Sequence, residues 1–588
     1  MSQFLKYTLA TVLGVFLAGI ISFFLFLGII GAIVSSAEDK EVIAAEHSIL
    51  HLNLDFSIGD RSINDPFSQM SFDDFSIKEN PGLDEIVRAI NKAKEDPNID
   101  GIYLSAPTVL AGVSSTQEIR KALENFKLSG KFIVAYSMVF DQKGYYLASV
   151  ADHVFLHPEG FILFTGLNGQ VTFYKGALEK LGVEMQIIRH GQFKSAVEPF
   201  ILDKMSAASK KQTQSLINSV WAEILAPISL ARNLSVDQLN TYTDQLDLFT
   251  SKPVLDLGFV DGLKYPDEVK DYLVSFIGAT DKKDLKFISV GKYTHTSFYS
   301  SGSKSRDRIA VIYASGEILP GKGDDSYIGE KNIVKALKDA RTNGRVKAVV
   351  LRVNSPGGSA LVSDLIWREV ELTKKEKPIV TSMSDVAASG GYYIACNSNT
   401  IFAEPTSITG SIGVFGMIPN IQELMNDKLG ITFDEVMTNK NSDFMDLTKP
   451  MTPFQRAVIQ KSIENVYSSF VNKVASGRGM TFEEVDNIGQ GRVWTGEQAI
   501  GLGLVDKLGG LEDAIVAAAE LAELEDYRIL SLPVQKDPFM KLMEDLSGES
   551  QTWMTRSFGK YAKHVKFINN LQKQDMIQAR MPFDLEIN

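Results

Sequence analysis

Residues 348–359 read Ala-Val-Val-Leu-Arg-Val-Asn-Ser-Pro-Gly-Gly-Ser, an apolar run followed directly by a pair of glycines. Residues 348–353 form a near-continuous apolar segment with the length and composition of a strand buried on both faces. Four segments alternate around it: β-rich residues 309–314, helically spaced residues 332–342 and 361–372, and β-rich residues 379–383. Strands buried between helices predict a parallel α/β unit.

The sequence repeats itself at an offset of 247 residues, which places Ile86 on Ile333. The same register continues without a gap and pairs Leu104 with Leu351, Ser137 with Ser384, Gly144-Tyr145-Tyr146 with Gly391-Tyr392-Tyr393, Phe155 with Phe402, Pro158 with Pro405, and Gly166 with Gly413. Chance similarity seldom keeps one register across two helices and several strands. The pattern therefore indicates that the α/β unit is duplicated.

This organisation divides the chain into five predicted segments. They are an N-terminal anchor (1–40), a first copy of the unit (46–293), a Ser-rich linker (294–307), a second copy (308–530) and a C-terminal tail (531–588). A chain of 588 residues is too long for one ordinary hydrophobic core, which agrees with two or more domains. The tail loses the α/β pattern and suggests no function.

The N-terminal segment predicts a membrane anchor. No charged residue occurs from Tyr7 to Ala37, and a hydrocarbon core of about 30 Å needs roughly 20 apolar residues. A cleaved signal peptide has a shorter apolar region, although Ser35-Ser36-Ala37 keeps that alternative open. Lys6 precedes the span and acidic residues follow it, so the positive-inside rule places the body of the protein outside the cytoplasm.

Composition excludes several classes of function. The net charge is −12 and no basic stretch stands out, which argues against a nucleic-acid partner. Cys396 is the single cysteine, so the chain forms no internal disulfide. The sequence contains no HExxH motif, no clustered Cys and His and no P-loop pattern, so we expect neither a metal nor a nucleotide cofactor.

Two small-residue motifs in the second copy are candidates for chemistry. Gly357 and Gly358 follow a strand, where backbone N–H groups without a Cβ beside them can form an oxyanion hole. The alternative is a tight turn into the next helix. Ser389 lies among small residues between a strand and a helix, where substrate can reach a nucleophilic Oγ. The alternative is an ordinary N-cap serine.

A nucleophilic serine needs a base, and histidine is poorly placed to supply it. The chain has seven histidines, and only His564 lies beyond residue 300, far down the tail. A neutral lysine can take this role when burial lowers its pKa. Lys194 has suitable apolar neighbours, namely Phe193, Ala196, Val197 and Phe200. The alternative is a solvated surface lysine.

The repeat register connects these separate motifs. Ser389 falls on Gln142, and the glycine pair falls on Leu110 and Ala111, so the first copy lacks both features. Conversely, Lys194 falls on or near Asn441, beside Lys440. One copy keeps the nucleophile and the other keeps the base. This division is expected when duplicated units that once formed identical interface sites have since diverged.

The chain resembles the signal peptide peptidase A family (protease IV) in its long, duplicated form. The resemblance rests on the anchor, both copies, and the motifs RVNSPGGS, DVAASGGYYIA, TGSIGVFG and GQFKSAVEPF. It implies two tandem Clp protease/crotonase-like α/β repeats and a Ser-Lys dyad. In that dyad Ser389 is the nucleophile and Lys194 is the general base. The family also uses a serine to hold the lysine amine, which corresponds to Ser411, and Gly357, Gly358 and Gly390 become candidates for oxyanion contacts.

The resemblance further implies a serine endopeptidase that degrades remnant signal peptides. Its members are single-pass proteins of the bacterial inner membrane, with an extracytoplasmic catalytic body and a ring-like homo-oligomer, a tetramer being expected for the duplicated form. Two other classes stay open from the residues themselves. A crotonase-like acyl-CoA enzyme also uses a glycine oxyanion hole, and an inactive envelope scaffold needs no chemistry.

Overall fold

The computed structural model describes residues 42–62, 80–278, 281–300, 303–535 and 577–581, together with residues 3, 6–8, 10–22 and 28. Residues 10–22 are helical, while much of the predicted anchor, including residues 29–37, lies outside the described residues. Within the described part of the chain, none of the helices is both long enough and apolar enough to span a bilayer.

The first copy is a sheet surrounded by helices. Its strands are β1 Ser48–Asn53, β2 Ile99–Ser105, β3 Phe132–Asp141, β4 His153–Leu163, β5 Glu184–His190, β6 Gly262–Leu263 and β7 Lys286–Ser289. Its helices are α1 Leu83–Glu95, α2 Val113–Lys127, α3 Gln142–Ala148, α4 Lys175–Leu181, α5 Glu198–Ile201, α6 Ala207–Arg232, α7 Val236–Gln245, α8 Ser251–Asp256, α9 Pro266–Ile277, α10 Val290–Thr294 and α11 Ser297–Ser300.

The second copy and the tail supply the remaining elements. Their strands are β8 Arg308–Ser315, β9 Glu317–Leu319, β10 Tyr327–Gly329, β11 Val346–Ser355, β12 Gly357–Ser359, β13 Ile379–Ala388, β14 Thr400–Ala403, β15 Ile408–Gly410, β16 Val414–Asn420, β17 Val493–Thr495, β18 Lys507–Leu508, β19 Arg528–Leu532 and β20 Ile577–Arg580. The helices are α12 Glu330–Thr342, α13 Ala360–Lys374, α14 Gly390–Ala395, α15 Pro453–Arg478, α16 Phe482–Ile488, α17 Gly496–Gly501 and α18 Leu511–Leu521.

Each copy is built on a parallel sheet, as the buried apolar strands predict. The first sheet has the order β6-β4-β3-β2-β1-β7, and all its neighbours are parallel. The second has the order β17-β15-β13-β11-β8-β19, in which only the β15–β17 pair is antiparallel, and β14 lies beside β13. The α/β class is therefore confirmed.

The duplication is visible in the bounds of the elements. Helices α1 and α12 begin at Leu83 and Glu330 and end at Glu95 and Thr342, so both ends differ by 247 positions. Helices α2 and α13 show the same offset at both ends. The register that the sequence repeat predicts is thus preserved in three dimensions.

Two segments differ from their sequence description. The stretch that the sequence describes as a linker contains helix α11, and Tyr299 of this helix is buried in the core of the first copy. The predicted strand at residues 379–383 extends to Ala388, because Val386, Ala387 and Ala388 pair with β15. This extension matters because it ends directly at Ser389.

A third sheet joins the two copies. Its order is β10-β9-β12-β20-β16-β5, so β5 of the first copy forms its edge beside β16 of the second. A buried ion cluster also connects the copies: the Arg352 guanidinium donates to Asp60 at 2.8 Å and to Glu118 at 2.6 Å. All three side chains are nearly inaccessible to solvent. The relative position of the two copies is therefore fixed by backbone pairing and by charge.

Candidate active site

Ser389 occupies a strained position between the end of β13 and the start of α14. Its φ of 57° and ψ of −113° lie outside the regions that residues with a Cβ normally adopt. Its N–H donates to the Gly410 carbonyl at 2.8 Å, and its own carbonyl accepts from the Tyr393 N–H at 2.8 Å. The Ser389 side chain makes no capping hydrogen bond. The N-cap alternative therefore does not explain this serine.

Lys194 lies in the loop that follows β5, just before a short 3-10 turn at Ser195–Val197. The preceding residue, Phe193, donates its N–H to the Gln490 carbonyl of the second copy at 2.9 Å. The carbonyl of Phe193 accepts from the Gln212 side chain of α6 at 3.2 Å. The backbone just before Lys194 is thus hydrogen-bonded to both copies.

Strand pairing explains how a lysine from one copy reaches a serine from the other. β5 pairs antiparallel with β16 along its whole length, from Glu184 opposite Asn420 to His190 opposite Val414. Lys194 follows shortly after this ladder ends. In the second copy, Ser411 and Gly413 lie just before β16, so the loop that follows β5 passes over them. The pairing of β5 with β16 therefore places Lys194 next to residues of the second copy.

The Lys194 Nζ atom lies within hydrogen-bond distance of three oxygen atoms. It is 2.8 Å from Ser389 Oγ, 3.1 Å from Ser411 Oγ and 3.2 Å from the Ser411 carbonyl oxygen. All three residues are 0% exposed. The structure therefore brings together the three side chains that the sequence analysis selected as catalytic candidates.

Burial lowers the pKa of Lys194 well below its ordinary value. The contacts of Nζ fit the neutral amine, which has two N–H donors and one lone pair. The two donors match the two oxygens of Ser411, and the lone pair is left for the Ser389 hydroxyl proton. Ser411 Oγ in turn lies 3.4 Å from the Gly491 carbonyl, to which its hydroxyl can donate. This chain of contacts orients the lone pair toward Ser389.

Two of the residues that enclose Lys194 were not suggested by the sequence. Of the expected apolar neighbours, Val197 packs with Ile187 and Phe415. The Phe193 ring faces the Arg492 guanidinium, 5.2 Å from its centroid. Two glycines also lie against the lysine side chain: a Cβ at Gly491 would lie 2.7 Å from Lys194 Cβ, and one at Gly413 would lie 3.2 Å from Lys194 Cδ.

The candidate oxyanion residues lie next to one another. Gly357 and Gly358 form the start of β12, with φ of +99° and +151°. A Cβ on Gly357 would lie 2.7 Å from the Gly390 nitrogen, and one on Gly358 would lie 2.1 Å from the Ile318 carbonyl oxygen, so neither position accommodates a side chain. Gly357 N–H donates to Ser355 Oγ at 3.2 Å. The Gly357 N–H group is therefore already engaged.

The corresponding positions of the first copy are filled by structural contacts. Gln142, the counterpart of Ser389, accepts from the N–H groups of Thr165 and Gly166 at 2.9 and 2.6 Å. Phe164, the counterpart of Ser411, is buried among Tyr145, Trp221 and Phe259. In the second copy, Lys440 and Asn441 are exposed. The chain thus holds a single site of this composition within the described residues.

Sequence reasoning missed the residues that support Lys194. Gly491, Gln490 and Gln212 belong to none of the motifs, and the first two lie about 300 positions from Lys194 in sequence. Gly491 has a φ of +80° and donates its N–H to the Ile412 carbonyl at 2.7 Å. The only available signal was the Gln-Gly pair at 490–491 between a helix and a strand, which is typical of many turns.

A family model and several relatives match the two copies of the chain. The model for "Peptidase family S49" matches residues 125–275 and 371–525, one match in each copy. "Protease 4" of Salmonella typhi is 38% identical, and the alignment covers 77% of this chain and 74% of that protein. "Serine protease SPPA, chloroplastic" of Arabidopsis thaliana is 33% identical over 78% of this chain and 68% of that protein.

A further relative is "Protease 4" of Haemophilus influenzae, 32% identical over 83% of this chain and 82% of that protein. A solved structure, a point mutant of ClpP1 from Listeria monocytogenes, aligns over 35% of this chain and 94% of that chain. Its identity is 12% and its TM-score is 0.24, which is too low to compare the folds in detail. The family match and the relatives together show that this chain belongs to peptidase family S49 and is a serine protease.

Proposed function

We propose that the protein is a membrane-anchored endopeptidase in which Ser389 and Lys194 form a catalytic dyad. The observation that carries the proposal is the 2.8 Å approach of Lys194 Nζ to Ser389 Oγ at a site closed to solvent. A buried, neutral amine at this distance is a suitable general base for a serine hydroxyl. The strained backbone at Ser389 is also typical of functional positions.

In the proposed mechanism, Lys194 removes the Ser389 proton as Oγ attacks the carbonyl carbon of the scissile peptide. The oxyanion that forms accepts hydrogen bonds from the N–H groups of Gly358 and Gly390. The Lys194 ammonium then donates its proton to the leaving amine, and an acyl-enzyme on Ser389 is left. A water molecule, deprotonated by the neutral Lys194, hydrolyses the ester and restores the site. Ser411 holds the amine in position through both steps.

Remnant signal peptides in the membrane are the proposed substrates. The uncharged N-terminal stretch would keep the catalytic body next to such peptides at the outer face of the bacterial inner membrane. The family resemblance supports this substrate class and a homo-oligomer, with the tetramer as the proposed state. The division of the chain into an anchor, two copies and a tail belongs to the same proposal, with α10 and α11 counted in the first copy and the whole of β19 in the second.

The test of the dyad is a comparison of three full-length variants on a hydrophobic peptide. Ser389→Ala and Lys194→Ala should each lose roughly 10⁴-fold or more in kcat, as expected when one member of a nucleophile–base pair is removed. Lys131→Ala is the control, because Lys131 is a partly buried lysine whose pKa is likewise lowered by burial. It should keep wild-type activity.

A fluorophosphonate probe gives a second readout. Labelling should occur at Ser389 in the wild type and in Lys131→Ala, and should be lost in Ser389→Ala. Lys194→Ala activity close to that of the wild type would remove Lys194 from the mechanism. Labelling that persists in Ser389→Ala would remove Ser389.

A further inference from the structure

Lys194 is the central residue of an inverse γ-turn. Its φ of −76° and ψ of 75° are typical of that position. The turn is closed by the Ser195 N–H, which donates to the Phe193 carbonyl at 2.8 Å. Because a γ-turn has only one hydrogen bond over three residues, contacts from outside the turn determine how firmly its central side chain is held.

Gln212 of α6 contacts both ends of this turn. Its Nε2 atom donates to the Phe193 carbonyl at 3.2 Å and to the Ser195 Oγ atom at 3.0 Å. Its Oε1 atom accepts from the Val493 N–H of the second copy at 3.3 Å. These partners fix the orientation of the amide, because the Phe193 carbonyl can only accept and the Val493 N–H can only donate. Gln212 is buried, so its amide makes these three bonds within the protein.

The bond to Val493 leads to the backbone of the nucleophile. Val493 lies opposite Gly410 in the antiparallel pair of β15 and β17. The Gly410 carbonyl accepts from the Ser389 N–H at 2.8 Å. Gln212 therefore connects the turn that carries Lys194 to the strand pair that holds Ser389. The 2.8 Å contact between Lys194 Nζ and Ser389 Oγ closes this path of contacts into a ring.

The second copy has no equivalent of this glutamine. Helices α6 (Ala207–Arg232) and α15 (Pro453–Arg478) are counterparts, and both their ends differ by 246 positions. This spacing places Gln212 on Val458, which is 44% exposed. The helix itself therefore does not require a glutamine at this position. The copy that supplies Lys194 is also the copy that has the glutamine.

We propose that Gln212 is a positioning residue of the dyad, which fixes the distance and direction of the Lys194 amine relative to Ser389. It acts through the turn around Lys194 and not by contact with a reacting atom. This inference rests on the proposed function, since it takes Lys194 as the base. A displacement of about 1 Å in a catalytic group can cost about 10²-fold in rate. Loss of the Gln212 contacts should therefore lower kcat and leave KM nearly unchanged.

The experiment uses full-length Gln212→Met, because methionine keeps the length of the side chain and removes all three hydrogen bonds. Its kcat on a hydrophobic peptide should fall by about 10- to 10²-fold. The rise of kcat/KM with pH should move to higher pH, since a loosened turn admits water to Lys194 and burial is what lowers the pKa of this lysine. Gln214→Met is the matched control, because Gln214 is an exposed residue of the same helix. It should behave as the wild type does.

Fluorophosphonate labelling separates a positioning role from a folding role. In Gln212→Met, Ser389 should react more slowly than in the wild type but reach the same final stoichiometry, because the site is present and its base is displaced. A lower final stoichiometry with an unchanged rate constant would mean that Gln212 serves only the fold, and would overturn the proposal. Unchanged kcat together with an unchanged pH profile would overturn it as well.

A second variant tests the same contact with a smaller change. Ser195→Ala removes one of the two acceptors of the Gln212 amide, so kcat should fall several-fold, less than in Gln212→Met. The double variant should be about as slow as Gln212→Met, because residues that share one contact are not additive. Wild-type kcat in Ser195→Ala, or additive losses in the double variant, would contradict the proposal. Failure of the proposed function would look different, because Lys194→Ala would then keep wild-type activity whatever residue stands at position 212.

Discussion

The Nζ atom of Lys194 lies 2.8 Å from the Oγ atom of Ser389, although 195 positions of sequence separate the two residues. The pair is closed to solvent, and burial lowers the pKa of Lys194 well below its ordinary value. Among the described residues, the hydrogen-bond contacts of Nζ are hydroxyl and carbonyl oxygens, and none of them is a carboxylate that would stabilise the ammonium. The position therefore favours the neutral amine, which is the form that can accept a proton.

The first prediction concerns the pH dependence of catalysis. Since only neutral Lys194 can act as the base, kcat/KM should rise as pH increases through the pKa of Lys194 in the free enzyme. This pKa is lowered, so the rise should be complete well below about pH 10. A profile of kcat/KM measured on an uncharged peptide tests this. If kcat/KM instead rises through the ordinary pKa of a lysine, Lys194 is not a desolvated base.

Ser411→Ala should affect catalysis through the position of the amine. The variant loses the Oγ contact at 3.1 Å but keeps the carbonyl contact at 3.2 Å, so Lys194 loses one of two orienting partners. We expect kcat to fall by about one to two orders of magnitude, within the range that general-base catalysis contributes, with little change in KM. Ser411→Thr keeps a hydroxyl and should restore part of kcat. Equal losses in both variants would indicate a packing defect instead.

Gly491→Ala should remove activity by displacing Lys194. The added Cβ would lie 2.7 Å from Lys194 Cβ and from its backbone nitrogen, and the φ of +80° is unfavourable for alanine. Since productive geometry tolerates displacements well below about 1 Å, kcat should fall by about 10²-fold or more. Gly501→Ala is the control, because no atom lies within 4 Å of the position that its Cβ would take. Wild-type activity in Gly491→Ala would show that Lys194 does not depend on this contact.

Much of the architecture was predictable because it is encoded by local patterns. Apolar periodicity indicated the strands around residues 348–353, and the self-match at 247 positions indicated the duplication and the division between Ser389 and Lys194. The pairings that assemble the site were not predictable in this way. The β5–β16 ladder and the insertion of β20 depend on complementary sheet edges that leave no periodic signal in the sequence. For the same reason Gly491 was missed, since its role depends on a distant backbone.

The dyad within one chain predicts the result of a mixing experiment. Lys194 and Ser389 meet in a single chain, and β5 and β16 hold them together by a continuous antiparallel ladder. Lys194→Ala and Ser389→Ala proteins should therefore stay inactive when they are mixed, even if they form oligomers. Each mixture is measured on the same hydrophobic peptide, after dissociation and reassembly of the two variants. Recovery of activity would show that neighbouring subunits exchange these residues.

The last prediction concerns the buried ion cluster between the copies. Arg352→Met would leave Asp60 and Glu118 buried without their cation, a change that typically costs about 3–5 kcal/mol. The denaturant midpoint, measured in an inactive Ser389→Ala background, should fall markedly. Arg352→Met combined with Asp60→Asn and Glu118→Gln should recover most of this loss, because no buried charge stays unpaired. If the triple variant and Arg352→Met lose the same amount of stability, the loss comes from packing and not from unpaired charge.

The deficit of Arg352→Met should also depend on pH. Burial alone would raise the pKa of Asp60, but the charge and hydrogen bonds of Arg352, with further hydrogen bonds, hold it below its ordinary value. A depressed carboxyl pKa stabilises the native state above the unfolded pKa of about 4, and this stabilisation is lost as pH falls through the native pKa. Without Arg352, the buried Asp60 carboxyl group takes up a proton more readily. The difference in midpoint between parent and variant should therefore be largest near neutral pH and should shrink below about pH 4. A difference that stays constant over this range would mean that Arg352 acts through its shape and not through its charge.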